Sequence, residues 1–272
     1  ACRFQQLNRQ VDKAITGVEG WLSPRETEFL TLAAASPTTT GDVLEIGSFR
    51  GRSTIALALA MQAVERAHPD RSDQLIAVDP MLDDDPLMQQ PVSNGEARRV
   101  FDANLDRAGV RHRVEFIQDF SYNVAPNWER SLRLLWIDGD HCYASTKQDY
   151  DLFSPHLADG AILAMHDVLS RYDGCIRVFT EDVLTSPHVG AVGLCGSIGW
   201  AQYWNEPRRS PALARQKQQM LARLAPLLPY HLRAEPPKGI AKLRYKWLRS
   251  RVPHRAINPQ RWQQSVHAAS SA

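Results

Sequence analysis

The residues best suited to chemistry in this 272-residue chain follow short apolar runs. Asp138-Gly139-Asp140-His141 comes directly after the apolar run 132–137, and His166-Asp167 after the run 161–165. Carboxylates beside imidazoles can move a proton near neutral pH or hold a divalent ion. Asp140, His141 and His166 are the catalytic candidates. Upstream, Glu45-Ile46-Gly47-Ser48-Phe49-Arg50-Gly51-Arg52-Ser53 follows a third run, Asp79 closes a fourth, and Asp119 follows a fifth. A lone acid after an apolar run is usually turn chemistry. Five polar run-ends of one kind imply a common edge.

Gly47 and Gly51 bracket a tight turn. Glycine permits positive φ and lets a ligand approach the backbone. The helix expected beyond it offers free N–H groups to a carboxylate, and Ser53 can cap that helix or touch the ligand. A dinucleotide site would want three glycines in GxGxxG. Here an acid precedes a Gly-x-x-x-Gly loop, and that acid would repel a pyrophosphate. S-adenosylmethionine carries an ammonium, a carboxylate and a sulfonium, so the acid and the free N–H groups both have uses. Asp79 can accept from ribose hydroxyls.

The elements that must position these groups alternate. Ser23-Pro24-Arg25-Glu26 is a helix start with a capping box, running to about Ala35. Strands are expected at 43–46, 75–79, 114–117, 132–137 and 161–165, with a turn at Ala158-Asp159-Gly160 before the last. Helices are expected at 53–66, 95–108, 145–157 and 174–184, and a hairpin at 189–194 and 198–204. Residues 81–95 read as a loop or lid. Asp149 and Asp151 are expected on an exposed helix face, and Trp200 and Trp204 in packing. Strands alternating with helices make βαβ units and a mostly parallel sheet, with ligands at the strand C-terminal edge.

This pattern resembles class I S-adenosylmethionine-dependent methyltransferases, in the small-molecule O-methyltransferase branch of the macrocin and cephalosporin-hydroxylase type (methyltransferase domain 24). The resemblance rests on Gly20-Trp21-Leu22-Ser23, residues 43–54, Ala77-Val78-Asp79-Pro80, Trp136-Ile137-Asp138-Gly139-Asp140-His141, Leu157-Ala158-Asp159-Gly160 and His166-Asp167. It implies an α/β Rossmann-like fold: a mostly parallel seven-stranded sheet with a C-terminal antiparallel hairpin. It implies that Glu45, Gly47, Ser48, Gly51 and Ser53 surround the methionine half of S-adenosylmethionine, and that Asp79 holds the ribose. Asp119 and Phe120 would meet adenine, with core packing the alternative for Phe120. Asp138 joins the cofactor set. Metal-dependent relatives bind Mg²⁺ through acids after the fourth and fifth strands. Asp138 and Asp167 match, and His166 departs, so Asp138, His166 and Asp167 are candidate ligands for a divalent metal softer than magnesium. The alternative is a metal-free site with a histidine base. For Asp140 a capping acid is the alternative, and for His141 a structural histidine.

Charge divides the chain. Residues 1–207 carry a net −11 (18 Lys and Arg against 29 Asp and Glu), and residues 208–272 a net +13 (14 against Glu235 alone). The expected organisation is an N-terminal helical segment (1–40), the methyltransferase domain (41–207) and a basic, partly helical C-terminal extension (208–272). That extension suits an anionic membrane surface, nucleic acid or a partner subunit in a homo-oligomer, or is a solvated helix. No apolar run approaches the roughly 20 residues of a membrane span, and the N-terminus lacks signal-peptide zones. Four cysteines without paired spacing argue against a disulfide or zinc framework. Together these lead to the expectation of a cytoplasmic protein, or one peripheral at the membrane. The function expected is O-methylation of a hydroxylated small molecule, sugar or glycan. The alternatives are a nucleic-acid methyltransferase, which the absence of an Asn-Pro-Pro-Tyr-like motif disfavours, and a non-catalytic ligand-binding protein.

Overall fold

The structure is a computed structural model that describes residues 2–82, 95–208, 210–233 and 236–270. The chain begins with α1 (Cys2–Ile15) and α2 (Pro24–Ala35), then β1 (Asp42–Ile46), α3 (Arg52–Ala67) and β2 (Leu75–Val78). Next come α4 (Glu96–Arg107), β3 (Val114–Ile117), the single turn α5 (Ser121–Val124), β4 (Leu132–Ile137) and α6 (Tyr143–Phe153). β5 (Leu157–Met165) leads to α7 (Gly174–Arg177), which passes into a π-helical turn over Val178–Val183. The hairpin β6 (Val189–Cys195) and β7 (Ile198–Tyr203) follows, then α8 (Pro211–Leu224), α9 (Leu228–His231), α10 (Gly239–Ser250) and α11 (Pro259–Ser270). The lid expected at 81–95 falls almost wholly outside the described residues.

One sheet runs in the order β3-β2-β1-β4-β5-β7-β6. The first five strands are parallel, and β7 runs antiparallel to both β5 and β6. This is the expected Rossmann-like methyltransferase architecture. Strand order reverses between β1 and β4, so a crevice opens beyond their C-terminal ends. β1 and β2 are four-residue registers of apolar side chains apart from Glu45, and β4 is buried throughout. A strand covered by helices on both faces needs that composition.

One expectation is corrected. Ala158-Asp159-Gly160 is not a turn ahead of β5 but part of the strand. Leu132 pairs with Leu157 while Leu134 pairs with Ile162, so extra residues are absorbed as a bulge. Gly160, at φ +84°, takes the left-handed conformation that the bulge needs.

The basic extension is folded onto the body. Leu213, Trp262 and Val266 join the core on the α2–α3 side, and Met220, Leu224, Leu227 and Val252 join the core on the other face. Trp262 packs edge-on against Trp200 of β7 at 6.1 Å. The Gly196 N–H donates to the His254 carbonyl at 3.0 Å, tying the extension to the hairpin turn. Among the described residues no helix is long and apolar enough to cross a membrane.

Trp262 is 2% exposed. Trp262→Ala is expected to cost about 3–5 kcal/mol in urea unfolding of the full chain. A loss under about 0.5 kcal/mol, the level of a surface change, would mean that the extension does not pack as described.

Candidate active site

β1 carries Glu45 into the core beneath the glycine loop, with no exposed surface. Its Oε2 accepts from Thr54 Oγ1 at 2.5 Å and Ser48 Oγ at 3.3 Å. Its Oε1 is buried with no hydrogen-bond partner. Burial pushes the carboxyl up to about 7, although hydrogen bonds from the Ser53, Thr54 and Ser48 hydroxyls oppose it. Gly47 (φ +86°) is obligatory, because a Cβ there would lie 2.2 Å from the Asp138 carbonyl oxygen. Gly51 (φ +85°) precedes α3, and a Cβ on it would lie 2.6 Å from Leu105. Asp79 clamps the loop: its Oδ2 accepts the Ser48 and Phe49 N–H groups at 2.6 and 2.9 Å, and its Oδ1 accepts the Met81 N–H at 2.7 Å.

After β3, Asp119 Oδ1 accepts from the Phe120 N–H and the Asn123 amide, both at 2.7 Å. Phe120 is 38% exposed and stacks on Tyr122 at 5.1 Å. That excludes the core-packing alternative for Phe120. Asp149 corrects another expectation: it is buried, not on an open helix face. Thr146, Asp149 and Phe153, spaced three and four apart, form the inward stripe of α6. The Asp149 carboxyl accepts from the Ser121 hydroxyl, and burial pushes it up to about 6. It was missed because it was read without its apolar neighbours.

β4 and β5 end side by side and bring their polar residues together. His166 Nδ1 lies 2.8 Å from Asp138 Oδ1 and 3.7 Å from Asp167 Oδ1, and its Nε2 lies 3.9 Å from Glu26 Oε2. The last is an ion-pair contact, too long for a hydrogen bond. Burial alone would lower the His166 pKa, but the charge and hydrogen bond of Asp138, with Glu26 and Asp167, raise it well above the ordinary range. His166 is thus an imidazolium enclosed by carboxylates. His141 Nε2 lies 2.9 Å from Asp167 Oδ2, and its ring packs on Tyr172 at 4.6 Å. Burial would lower the His141 pKa too, but Asp167 and Asp138 raise it. Asp167 sits at φ +58°, a conformation costly for a non-glycine residue, which aims its carboxylate at His141.

Asp140 stands apart from the cluster. Its carboxylate accepts from the Cys142 N–H at 3.2 Å and the Ser145 hydroxyl at 2.8 Å, which anchors the start of α6. Glu26 was read only as a capping-box acid. It does bond Ser23, but its Oε1 also accepts the Ser197 N–H and hydroxyl. Burial would raise the Glu26 carboxyl, yet the nearby His166 ring and the hydrogen bonds from Ser197 and Ser23 hold it far below its usual range. One acid thus links the α2 start, the hairpin turn and the histidine. No pattern local to α2 signals that.

For a metal, Asp138, His141 and His166 each offer an atom, all within 4.8 Å of one another. Asp167, expected as a ligand, is not in that set, and His141 takes its place, so the donors are one carboxylate and two imidazoles. That set fits a borderline ion such as zinc better than magnesium.

Beside the cluster lies a cavity of about 1170 Å³. Glu26 and Asp167 form one wall, the segment Leu169 to Asp173 and the hairpin turn flank it, and Tyr230, His231, Arg233, Tyr245, Arg249 and His254 of the extension close it. No residue of the glycine loop lines it. Of the acids around the histidines, Glu26 and Asp167 reach the cavity wall.

Residues 44–168 match the profile of a family described as methyltransferase domain. Among solved structures, the chain is similar to cofactor-bound Rv0187 from MTB, with 19% identity, 76% of this chain and 91% of that one covered, and a TM-score of 0.51. It is also similar to a putative O-methyltransferase from Klebsiella pneumoniae, with 17% identity, coverage of 74% and 89%, and a TM-score of 0.51. A third is the O-methyltransferase TomG from Streptomyces achromogenes, in complex with SAM, with 17% identity, coverage of 73% and 90%, and a TM-score of 0.50. At these identities the likeness is one of fold.

Glu45 titrates near 7 when folded against an ordinary 4.5. Between those values the folded chain holds a proton that the unfolded chain releases, so stability falls as pH rises from about 4.5 to 7. Glu45→Gln is expected to remove this slope and to raise ligand-free stability at pH 8 by about 1–3 kcal/mol. Urea unfolding at pH 5 and pH 8 checks it, and an unchanged slope in the variant would refute the assignment.

Proposed function

We propose that the protein, whose residues 44–168 match a methyltransferase-domain profile on a Rossmann-like fold, transfers the methyl group of S-adenosylmethionine to a hydroxyl oxygen of a small molecule or sugar. The observation that carries this is the buried, unpartnered Glu45 Oε1 beneath the glycine loop. It is an acceptor, negative above about pH 7, open to a donor directly or through water. The ligand suited to it carries a cation next to a group that wants backbone N–H donors, as a methionine moiety does.

Bound S-adenosylmethionine would supply a methyl group activated by its sulfonium. Glu45 meets the ammonium; the loop at Gly47 and Ser48 and the α3 start at Ser53 meet the carboxylate. Asp79 meets the ribose, and the exposed Phe120 ring stacks on adenine beside Asp119. The acceptor occupies the cavity. Its oxygen attacks the methyl carbon in line as the carbon–sulfur bond breaks, and the hydroxyl proton passes to His141. Asp167 holds the His141 ring and stabilises its charged form. His166, already charged, keeps Asp138 and Glu26 from repelling one another. A divalent ion at Asp138, His141 and His166 is the second reading, favoured by the donor cluster. Loss of activity in chelator with recovery on zinc would support it, and full activity after exhaustive chelation would exclude it.

His141→Ala is expected to lower the methyl-transfer rate by about 10²–10⁴-fold, with S-adenosylmethionine affinity held. Glu45→Gln is expected to lose that affinity, read by titration calorimetry. Because His141 must be neutral to accept a proton, kcat/KM is expected to rise with pH through a value above 6.5. No binding of S-adenosylmethionine by the wild-type chain would defeat the proposal.

For a partner, α10 points to an anionic membrane surface. Ile240, Leu243 and Trp247 are 85%, 68% and 56% exposed. At roughly 100° per residue they share about 60° of the helix circumference. Lys242 and Lys246 flank this stripe on one side, and Arg244 and Arg251 on the other. An apolar stripe with Trp between cationic flanks lies in a lipid interface. Leu243→Glu with Trp247→Glu is expected to abolish sedimentation of the full chain with phosphatidylserine-containing vesicles, and unchanged sedimentation would exclude this face.

A further inference from the structure

The cavity also indicates what kind of acceptor it takes. Four arginines line it: Arg25, Arg171, Arg233 and Arg249. Among the described residues, none of the four has a carboxylate within 4.0 Å, whereas eight other arginines are ion-paired. The cavity's own acids are engaged elsewhere. Glu26 and Asp167 serve the histidines, and Asp173 faces Arg177 at 3.9 Å. Positive charge is therefore in excess at the end of the cavity that the extension forms.

Arg249 adds a second observation. It is half-buried, and its Nε is shielded from solvent with no hydrogen-bond partner. Its charge depresses the neighbouring His231, which burial already lowers. A guanidinium in that setting lacks an acceptor. The walls between the arginines are aromatic: Tyr230 and Tyr245 pack at 5.5 Å, Arg233 lies over Tyr230 at 6.0 Å, and Arg171 lies over Tyr172 at 5.1 Å. Rings of this kind cover the faces of a sugar or a base, and guanidiniums grip phosphate oxygens in pairs.

We propose that the acceptor carries a phosphate or diphosphate group, which Arg171, Arg233 and Arg249 bind while its hydroxyl reaches the His141–Asp167 pair. This rests on the methyl-transfer reading for the hydroxyl, but not for the anion. Lys and Arg residues on the outward faces of α10 do not enter the cavity, so the anion site and the membrane face are separate features of one helix. The phosphate can belong to a soluble sugar phosphate or to a lipid-linked one.

The test uses the full chain saturated with S-adenosylhomocysteine, so that the donor site is closed. Inorganic pyrophosphate, glucose 1-phosphate and methyl glucoside are titrated by calorimetry at fixed salt. Binding of the two phosphates and not of the glucoside is expected. Arg233→Gln with Arg249→Gln, and Arg171→Gln alone, are each expected to weaken pyrophosphate binding by about tenfold or more while S-adenosylhomocysteine affinity holds. Failure of pyrophosphate to bind, or equal affinity in wild type and both variants, overturns the proposal. Loss of S-adenosylhomocysteine binding by the wild type overturns methyl transfer instead and leaves the pyrophosphate result to be read alone. Vesicles containing a phosphatidic acid, with Leu243→Glu and Trp247→Glu in place, separate the sources. Competition with pyrophosphate by these vesicles marks a lipid-linked phosphate, and its absence marks a soluble one.

Discussion

The closest contact between the two halves of the site is one of backbone on backbone. Gly47 lies against the Asp138 carbonyl so tightly that no Cβ could intervene. That contact exists because β1 and β4 are neighbours at the point where strand order reverses. It fixes the loop that would hold a donor a few ångströms from the acids that would serve an acceptor. In-line transfer tolerates little error in distance, so a rigid backbone junction serves it better than a pair of flexible side chains.

Charge is arranged around this junction in two ways. On the donor side Glu45 is fully buried, is bonded through one oxygen and has no partner for the other. That state is costly in the empty protein and is relieved by a cationic ligand. On the other side, Asp138, Glu26 and Asp167 surround His166 and His141. Each imidazole stabilises carboxylates that would otherwise repel. Asp138 lies near enough to Glu45 to add to the rise that burial gives its carboxyl.

The extension completes the second site. Its apolar residues, Trp262 above all, pack into the same cores as the sheet, and its polar residues close the cavity beside the histidines. Its net positive charge stands against the net negative charge of residues 1–207. α10 divides its residues accordingly: Tyr245 and Arg249 line the cavity, while Ile240, Leu243 and Trp247 remain exposed.

Much of this was legible in the sequence. Runs of four to six mostly apolar residues marked the five parallel strands; four of them are buried on both faces, where a strand has no other composition, and β3, with the exposed Glu115, is the partly open one. The glycine loop, Asp79, and the pair of clusters at Asp138 and His166 were visible as residue types after strands. What the sequence could not disclose depended on contacts between distant segments. Glu26 reaches Ser197 across 171 positions; the Asp79 carboxylate accepts the N–H groups of the glycine loop; Asp140 bonds Cys142 and Ser145 at the start of α6. The strand through Gly160 and the packing of 208–272 belong to the same class. Side-chain period and local capping are set by neighbours three or four residues away, so sequence shows them. Whether an acid is paired, buried or open is set by what the fold brings against it, and only the tertiary structure decides that.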